Sequence, residues 1–191
     1  LGIFKESWQQ ATPEWVEERL VNQQFLTFFS KEYPESLRNI ADPPLVLFYE
    51  GDLALLEYSK LAIVGARLAT PYAYEVLYQF IPKLVAQKQV IVSGLAKGVD
   101  SYSHQLTIGF GGKTIGVVGC GLDYCYPTEA LPIFLEMKKN HLVLSEYPKQ
   151  TGIKRHHFPM RNRIIAGLSQ GTCVIEAKER SGSLITAQLA L

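Results

Sequence analysis

Short apolar runs alternate with longer amphipathic stretches over most of the chain. The runs lack polar alternation, which is typical of strands buried on both faces, and they span 61–65, 90–94, 114–119, 142–145 and 172–176. Helical stretches lie between them, near 71–88, 99–109, 128–139 and 160–168. Such strand–helix alternation predicts an α/β fold, an extended Rossmann-like parallel sheet with helices on both faces.

The first forty-four residues follow a different pattern. Thr12-Pro13-Glu14 has the hydroxyl, proline and acid of a helix start, and the apolar residues that continue this helix are Trp15, Val16, Leu20, Phe25 and Leu26. A turn-rich linker with a short helical piece follows at 33–44, and 45–49 is predicted as an edge strand. We therefore divide the chain into an N-terminal helical segment with its linker, 1–44, and a Rossmann-like domain, 45–191. Because the chain starts at Leu1, we expect it to be a fragment.

Charge is distributed unevenly along the 191 residues. The formal net charge is +1, and 47% of the residues are hydrophobic, enough for a sizeable core. Residues 1–60 carry five Lys or Arg against ten Asp or Glu, whereas residues 61–191 carry fourteen against eight. A polyanionic partner would therefore bind the second part of the chain.

Cysteine usage and hydropathy exclude several classes of protein. Cys120, Cys125 and Cys173 are odd in number and form no CxxC pair, so neither a zinc site nor a disulfide framework is indicated. Reduced thiols fit a cytoplasmic protein. No apolar run reaches the length of about 18 residues that a spanning helix needs, so we expect no membrane association.

Small residues collect where the predicted strands end. Three strands lead into Gly65-Ala66-Arg67, into 93–98 (SGLAKG), and into Gly119-Cys120-Gly121. In an open parallel sheet, ligands bind outside the carboxyl ends of the strands. These loops predict a groove in which a ligand approaches the backbone closely, with Arg67 and Lys97 supplying positive charge.

The segment 156–187 adds three further features to this groove. Arg161 and Arg163 flank Asn162, Phe158 precedes them, and Ser181-Gly182-Ser183 opens the last predicted helix. Guanidinium groups and a helix N-terminus favour anions, and an exposed ring stacks on a base for about 1–3 kcal/mol. Phosphates and bases are the ligands that suit this set.

The sequence gives little support for a nucleotide cofactor, a metal site or a catalytic histidine. The nucleotide fingerprints GxGxxG and GxxxxGK[ST] are absent, and no cofactor is indicated. His156 and His157 lack a third ligand at metal spacing. His104 is interpreted as a packed, hydrogen-bonded histidine on a helix. Asp100 is predicted to cap the start of that helix. Glu146 and Glu176 end strands and have two interpretations, a general base or an ion pair that holds the arginine turn.

Six stretches in order resemble the DNA processing protein A family, also called Smf. They cover most of 32–191, and the last is the most specific: YPESLRNIADPPLVLFYEGD (33–52), AIVGAR (62–67), SGLAKGVDSYSHQ (93–105), TIGVVGCGLDYCYP (114–127), LSEYP (144–148) and FPMRNRIIAGLSQGTCVIEAKERSGSLITA (158–187). The resemblance implies an extended Rossmann fold that is not an enzyme. It also implies a protein that binds and protects single-stranded DNA and helps to load the RecA recombinase during natural transformation, as a homodimer.

The resemblance also implies site residues. The arginine of the family's VG-x-R turn corresponds to Arg67 and contacts DNA phosphate, and the basic residue and phenylalanine before the RNR turn correspond to Arg155 and Phe158. Together with the groove, this gives the candidate DNA-binding residues Gly65, Arg67, Ser93, Gly94, Lys97, Gly98, Gly121, Arg155, Phe158, Arg161, Asn162, Arg163, Ser181, Gly182 and Ser183.

The chain departs from the family pattern in two places, and two other functions stay open. Family members continue past the last helix into another strand, whereas this chain stops at Leu191, so the resemblance implies a domain truncated at its C-terminal end. Many members carry a lysine and then an asparagine where this chain has Thr128 and Ala130, so a basic contact is lost or moved to Lys97 or Lys154. One alternative is an enzyme like the nucleoside-monophosphate phosphoribohydrolases, which share a related sheet but carry a PGG turn absent here. The other is a structural or partner-binding role, which leaves the glycine loops and arginines unexplained.

Overall fold

A seven-stranded sheet forms the centre of the molecule in the computed structural model, which describes residues 17, 20–179 and 181–190. The spatial order is β1-β2-β6-β5-β4-β3-β7, and the strands are β1 (Gln24–Thr27), β2 (Val46–Gly51), β3 (Lys60–Gly65), β4 (Val90–Ser93), β5 (Thr114–Val118), β6 (Leu142–Ser145) and β7 (Thr172–Ile175). The five strands β3 to β7 run parallel, so their carboxyl ends meet at one edge.

Helices cover both faces of the sheet, as the sequence pattern predicts. They are α1 (Glu35–Arg38), α2 (Pro71–Ala86), α3 (Val99–Gly109), α4 (Leu131–Asn140), α5 (His157–Leu168) and α6 (Gly182–Leu189), with 3-10 turns at Leu53–Glu57 and Thr128–Ala130. On one face, α2 to α4 pack against side chains such as Ile63, Ile91 and Val143. On the other, Leu37 of α1 and Ile164 of α5 pack against the alternate strand residues.

The buried face of α2 shows why this segment is helical. Thr70 and Pro71 begin the helix, and Ala73, Leu77 and Ile81 recur at helical spacing and are fully buried. The outward positions are polar or aromatic. The same alternation of a buried strand and an amphipathic helix repeats through α3, so the parallel part of the fold follows directly from the sequence pattern.

The N-terminal part of the sheet differs from the prediction. Phe25 and Leu26, which the sequence pattern assigns to a helix, lie in β1, which pairs antiparallel with β2. The segment predicted as an edge strand is β2, which has β1 on one side and β6, also antiparallel, on the other. The sheet is therefore mixed rather than purely parallel. The helix start predicted at residues 12–14 lies outside the described residues.

The boundary at residue 44 stays a prediction. β1 lies on its N-terminal side but belongs to the same sheet as the strands that follow. Tyr33, also before the boundary, is buried and donates a hydrogen bond from its hydroxyl to the Pro44 carbonyl at 2.8 Å. The 33–44 segment is therefore packed onto the sheet domain from Tyr33 onward.

Candidate nucleic-acid interface

A cleft of about 710 Å³ opens at the carboxyl edge of the sheet, beside the end of β3. Its walls are the loop after β3, the first turns of α5 and α6, and Tyr126 from the loop before α4. Nine of the fifteen candidate residues line it: Gly65, Arg67, Arg155, Phe158, Arg161, Asn162, Ser181, Gly182 and Ser183. The fold therefore brings together these nine residues, as predicted from the strand ends.

The charged residues of the cleft are mainly cationic. Arg67, Arg155 and Lys178 line it and are exposed, and Arg161 lies buried at its floor. Among the described lining residues the one acid is Asp100, which is buried. An anionic ligand is therefore favoured electrostatically, and a polyanion could engage several of the exposed side chains together.

Arg161 is held inside the cleft floor by backbone carbonyls. Its Nη1 donates to the carbonyl oxygens of Gly94 and of Val117, the latter at 2.6 Å. A Cβ at position 94 would collide with this guanidinium, so the arginine approaches the chain where glycine permits it. Arg161 is 5% exposed, and its first role is to tie α5 to the ends of β4 and β5.

Asp100 is buried and interacts electrostatically with this arginine. Its Oδ2 accepts a hydrogen bond from the Gly94 N–H at 3.2 Å. Burial raises the pKa of the Asp100 carboxyl, and the nearby Arg161 guanidinium opposes that rise. The sequence prediction that Asp100 caps α3 is wrong, because Gly98 occupies that position and Asp100 lies in the first turn.

Asn162 connects the two helices that form one wall of the cleft. Its Oδ1 accepts a hydrogen bond from Arg161 Nε, and its Nδ2 donates to the Gly182 carbonyl, both at 3.1 Å. Ser181 and Ser183 pair through their hydroxyls at 2.9 Å, and among the described residues no side chain caps α6 at Ser181. The start of α6 is thus positioned by α5 and remains available to an anion.

An aromatic pair lies beside the cations. The rings of Phe158 and Tyr126 are 5.8 Å apart between centroids and inclined by 49°. The Arg67 guanidinium lies over the Phe158 ring, also at 5.8 Å from the centroid, in cation–π range. Phosphate-binding and base-stacking groups are therefore adjacent.

Arg163 does not line the cleft. Its guanidinium binds Asp42 at 3.0 Å and Glu146 at 2.6 Å, and it is 8% exposed. Burial acts to lower the pKa of Arg163, but the hydrogen bonds and ion pairs with these acids outweigh it and raise the pKa. The ion-pair interpretation of Glu146 is therefore confirmed.

Four other candidate residues that do not line the cleft have local roles in the structure. Ser93 is buried and donates to the Ile63 carbonyl at 2.6 Å. Gly94 makes room for Arg161, as described above, and Gly98 adopts a positive φ of 75° against the Ala66 carbonyl, where a side chain would be strained. The Gly121 N–H donates to the Thr151 carbonyl at 2.8 Å.

Lys97 is exposed beside the altered 128 position. Its Nζ binds Glu129 at 2.6 Å, and Glu129 directly follows Thr128. The hydrogen bond that Lys97 donates to the Glu129 carboxylate raises the pKa of Lys97. A lysine is thus present next to Thr128, although it does not line the cleft.

Glu176 and His104 form hydrogen bonds that stabilise the fold. The Glu176 carboxylate accepts hydrogen bonds from the backbone N–H and hydroxyl of Thr70, at 2.9 and 3.1 Å, so it holds the start of α2 rather than an arginine. His104 is fully buried with Nδ1 2.7 Å from Thr114 Oγ1, which confirms the packed interpretation. In the described part of the chain, no three His, Cys, Asp or Glu side chains gather as metal ligands.

Among the lining residues that were not candidates, Tyr126 and Lys178 carry groups suited to bases and phosphates. Tyr126 belongs to the quoted motif that ends in YP, but a lone tyrosine in a loop carries no signal of its own. Lys178 follows β7 in a polar loop. The rule that ligands bind at strand ends extends to this loop and could have included Lys178.

The family model for DNA recombination-mediator protein A matches residues 24–191, which include the whole sheet and the cleft. The chain belongs to the DNA recombination-mediator protein A family. This confirms the resemblance drawn from the six motifs.

Relatives of this family support the assignment. The chain is 48% identical over 163 residues to DNA processing protein DprA of Bacillus subtilis, covering 85% of this chain and 55% of the relative. It is similar to the X-ray structure of DNA processing protein A from Streptococcus pneumoniae, with a TM-score of 0.93 and 41% identity over 99% of this chain and 66% of that one. The fold prediction is confirmed by this agreement.

A third similarity concerns a protein reported for its binding of single-stranded DNA. The structure of DNA processing protein A from Helicobacter pylori, reported for its unique single-stranded DNA binding mode, matches with a TM-score of 0.80 and 34% identity, over 88% of this chain and 77% of that one. The present chain spans about half the length of the curated relatives it matches. Within the described residues, no helix has the length and apolar character needed to cross a membrane.

Proposed function

We propose that the cleft binds single-stranded DNA through its phosphates and its unpaired bases. One observation carries this proposal: three exposed cations and an aromatic pair line the same cleft. Cations alone would suit any anion, and rings alone would suit many apolar ligands. Their combination matches the alternating phosphates and bases of a single strand.

The wider function follows from the family. We infer that the protein is a recombination mediator that protects incoming single strands and helps to load RecA during natural transformation. This role places it in the cytoplasm, and the longer protein would act as a homodimer. Family membership and the H. pylori protein reported for its single-stranded DNA binding mode support this inference.

An enzyme of the phosphoribohydrolase kind is the rival function. It requires a carboxylate near the last helices that faces the ligand. Glu176, the nearest candidate in sequence, is bound to Thr70 and does not line the cleft. We therefore infer a binding protein rather than an enzyme.

The test is a fluorescence anisotropy titration of a labelled oligo-dT of about 25 nucleotides, beside a duplex of equal length and AMP. We expect the single strand to bind more tightly than the duplex, because paired bases cannot reach the rings. Binding should weaken as salt rises, since phosphate contacts release counterions. Equal binding of strand and duplex, or hydrolysis of AMP, would contradict the proposal.

The Arg67→Ala variant tests whether the DNA binds in this cleft. Loss of one charged contact, worth about 1.5–3 kcal/mol, should weaken oligo-dT binding by about tenfold or more. It should also reduce the slope of log K against log salt by about 0.7. Lys83→Ala is the matched control, because Lys83 is exposed in the last turn of α2, away from the cleft.

A further inference from the structure

Tyr126 is the more exposed ring of the aromatic pair. It is 48% exposed and lines the cleft, whereas Phe158 is only partly exposed. The two come from separate elements, Tyr126 from the loop before α4 and Phe158 from the first turn of α5. An incoming base therefore meets more free aromatic surface at position 126 than at position 158.

The surroundings of the two rings also leave more uncovered surface on Tyr126 than on Phe158. Phe158 already contacts the Arg67 guanidinium as well as Tyr126, so part of its surface is covered before a ligand arrives. At an inclination of 49° the two rings do not stack face to face, and Tyr126 keeps surface on which a base can lie. Stacking on this surface would bury apolar area that the unliganded protein leaves in water.

The cations around Tyr126 suit this position. The Arg67 guanidinium lies over the ring of Phe158, the partner of Tyr126 in the aromatic pair. Lys97 is close enough to Tyr126 for the phenol group to contribute to the raised pKa of Lys97, after the larger effect of Glu129. A nucleotide whose base covers Tyr126 would therefore lie near the cationic Arg67. Base and backbone contacts would be made by one nucleotide unit.

We propose that Tyr126 is a base-stacking residue of the cleft and contributes more to stacking than Phe158. The inference rests on the proposed binding of single-stranded DNA and adds the residue that selects unpaired bases. In a duplex both faces of each base are covered by neighbours, so a ring that needs a free face discriminates against it. The phosphates, which strand and duplex share, cannot make this distinction.

A comparison of Tyr126→Ala with the parent on two ligands tests the proposal. The ligands are oligo-dT and an abasic strand of equal length, which keeps the phosphates and lacks the bases. Stacking of one base is worth about 1–3 kcal/mol, so the variant should lose between about 5-fold and about 150-fold on oligo-dT. On the abasic strand it should match the parent, and the salt slope on oligo-dT should not change.

Three further variants sharpen the result. Tyr126→Trp keeps a broad ring and should retain tight binding. Phe158→Ala should lose less affinity than Tyr126→Ala. Tyr124→Ala is the matched control, because Tyr124 is 39% exposed in the same loop but does not line the cleft, and it should bind both strands like the parent.

The outcomes separate this inference from the proposed function. If the parent binds neither strand, the DNA-binding function fails and the stacking role with it. If the parent binds oligo-dT and Tyr126→Ala binds equally well, the function stands and the inference is wrong. Equal losses on both strands would indicate a structural role for Tyr126, and a larger loss for Phe158→Ala would overturn the ranking.

Discussion

Two arginines separated by one residue contact different parts of the structure. Arg161 lies at the floor of the cleft and binds backbone carbonyls, whereas Arg163 points to Asp42 and Glu146. The sequence pattern makes them equivalent, since both flank Asn162 in a basic turn. Their orientations depend on which element each one contacts, and only the folded chain supplies those contacts.

Arg163→Ala should therefore reduce stability rather than remove a DNA contact. It would leave the Glu146 and Asp42 carboxylates without their partner, and Arg163 is largely buried while Asp42 is exposed. The pair with the exposed Asp42 contributes little, so the loss comes mainly from the pair with Glu146. We expect the free energy of unfolding to fall by about 2 kcal/mol and Tm, measured by calorimetry, to fall by about 4–8 °C. Arg155→Ala, at an exposed position, is the control: it should keep the parent Tm and weaken oligo-dT binding. An unchanged Tm in the Arg163 variant would contradict this account.

His104 gives a prediction about pH. Thr114 Oγ1 donates to the Ile91 carbonyl, so it accepts a hydrogen bond from His104 Nδ1–H, and among the described residues Nε2 has no partner. Burial lowers the pKa of His104 to about 3. As pH falls below about 6.5 the unfolded chain gains a proton that the folded chain does not, so stability should fall by about 1.4 kcal/mol per pH unit from this residue.

Urea denaturation of the parent and of His104→Gln at pH 7, 6 and 5 checks this pH effect. Glutamine retains a donor for Thr114 but does not titrate. The variant should therefore lose stability less steeply than the parent between pH 6 and 5. The same slope for both proteins would show that His104 does not contribute to acid sensitivity.

At the scale of elements, the parallel strands were predicted to within one residue at each end. Their signal is local, because a strand buried on both faces is a short apolar run that ends at small residues. β1 was missed for a physical reason. Phe25 and Leu26 continue a plausible helical spacing from Leu20, and the antiparallel pairing with β2 that overrides this spacing is a tertiary contact.

The positions of the site residues, like those of the strands, were predicted correctly where the signal is local. Residues whose position follows from the strand ends, such as Arg67 and Ser181, line the cleft. Residues whose side chains turn toward another layer, such as Ser93 and Arg163, do not. The topology of the sheet predicts where a ligand binds, but the direction of each side chain depends on packing.

The junction between α5 and α6 can be tested through Asn162. Asn162→Ala would remove the hydrogen bonds to Arg161 and to the Gly182 carbonyl. We expect faster amide hydrogen exchange in α6 and weaker oligo-dT binding, because the start of α6 would lose its fixed position in the cleft wall. Exchange in α2, on the other face of the sheet, serves as the internal control. Unchanged exchange in α6 would show that Asn162 does not position this helix.

The exposed charges of the cleft predict how steeply DNA binding depends on salt. Three exposed cations line the cleft, and each phosphate contact on a single strand contributes about 0.7 to the salt dependence. One cleft should therefore give a slope of log K against log salt of about −2, which is a loss of about 20-fold between 50 and 200 mM salt. Anisotropy titrations of a short oligo-dT at four salt concentrations measure it directly.

The same measurement on longer strands tests the proposed homodimer. If two copies of the protein bind one strand, two clefts contribute and the slope should approach −4, and this should occur only when the strand is long enough to reach both. A charge-removing variant then has a diagnostic effect, because Arg67→Ala should lower the slope by about 0.7 in the single-cleft regime and by twice that amount in the two-cleft regime. A slope that stays near −2 on long strands, at protein concentrations high enough to saturate them, would mean that each cleft binds DNA independently.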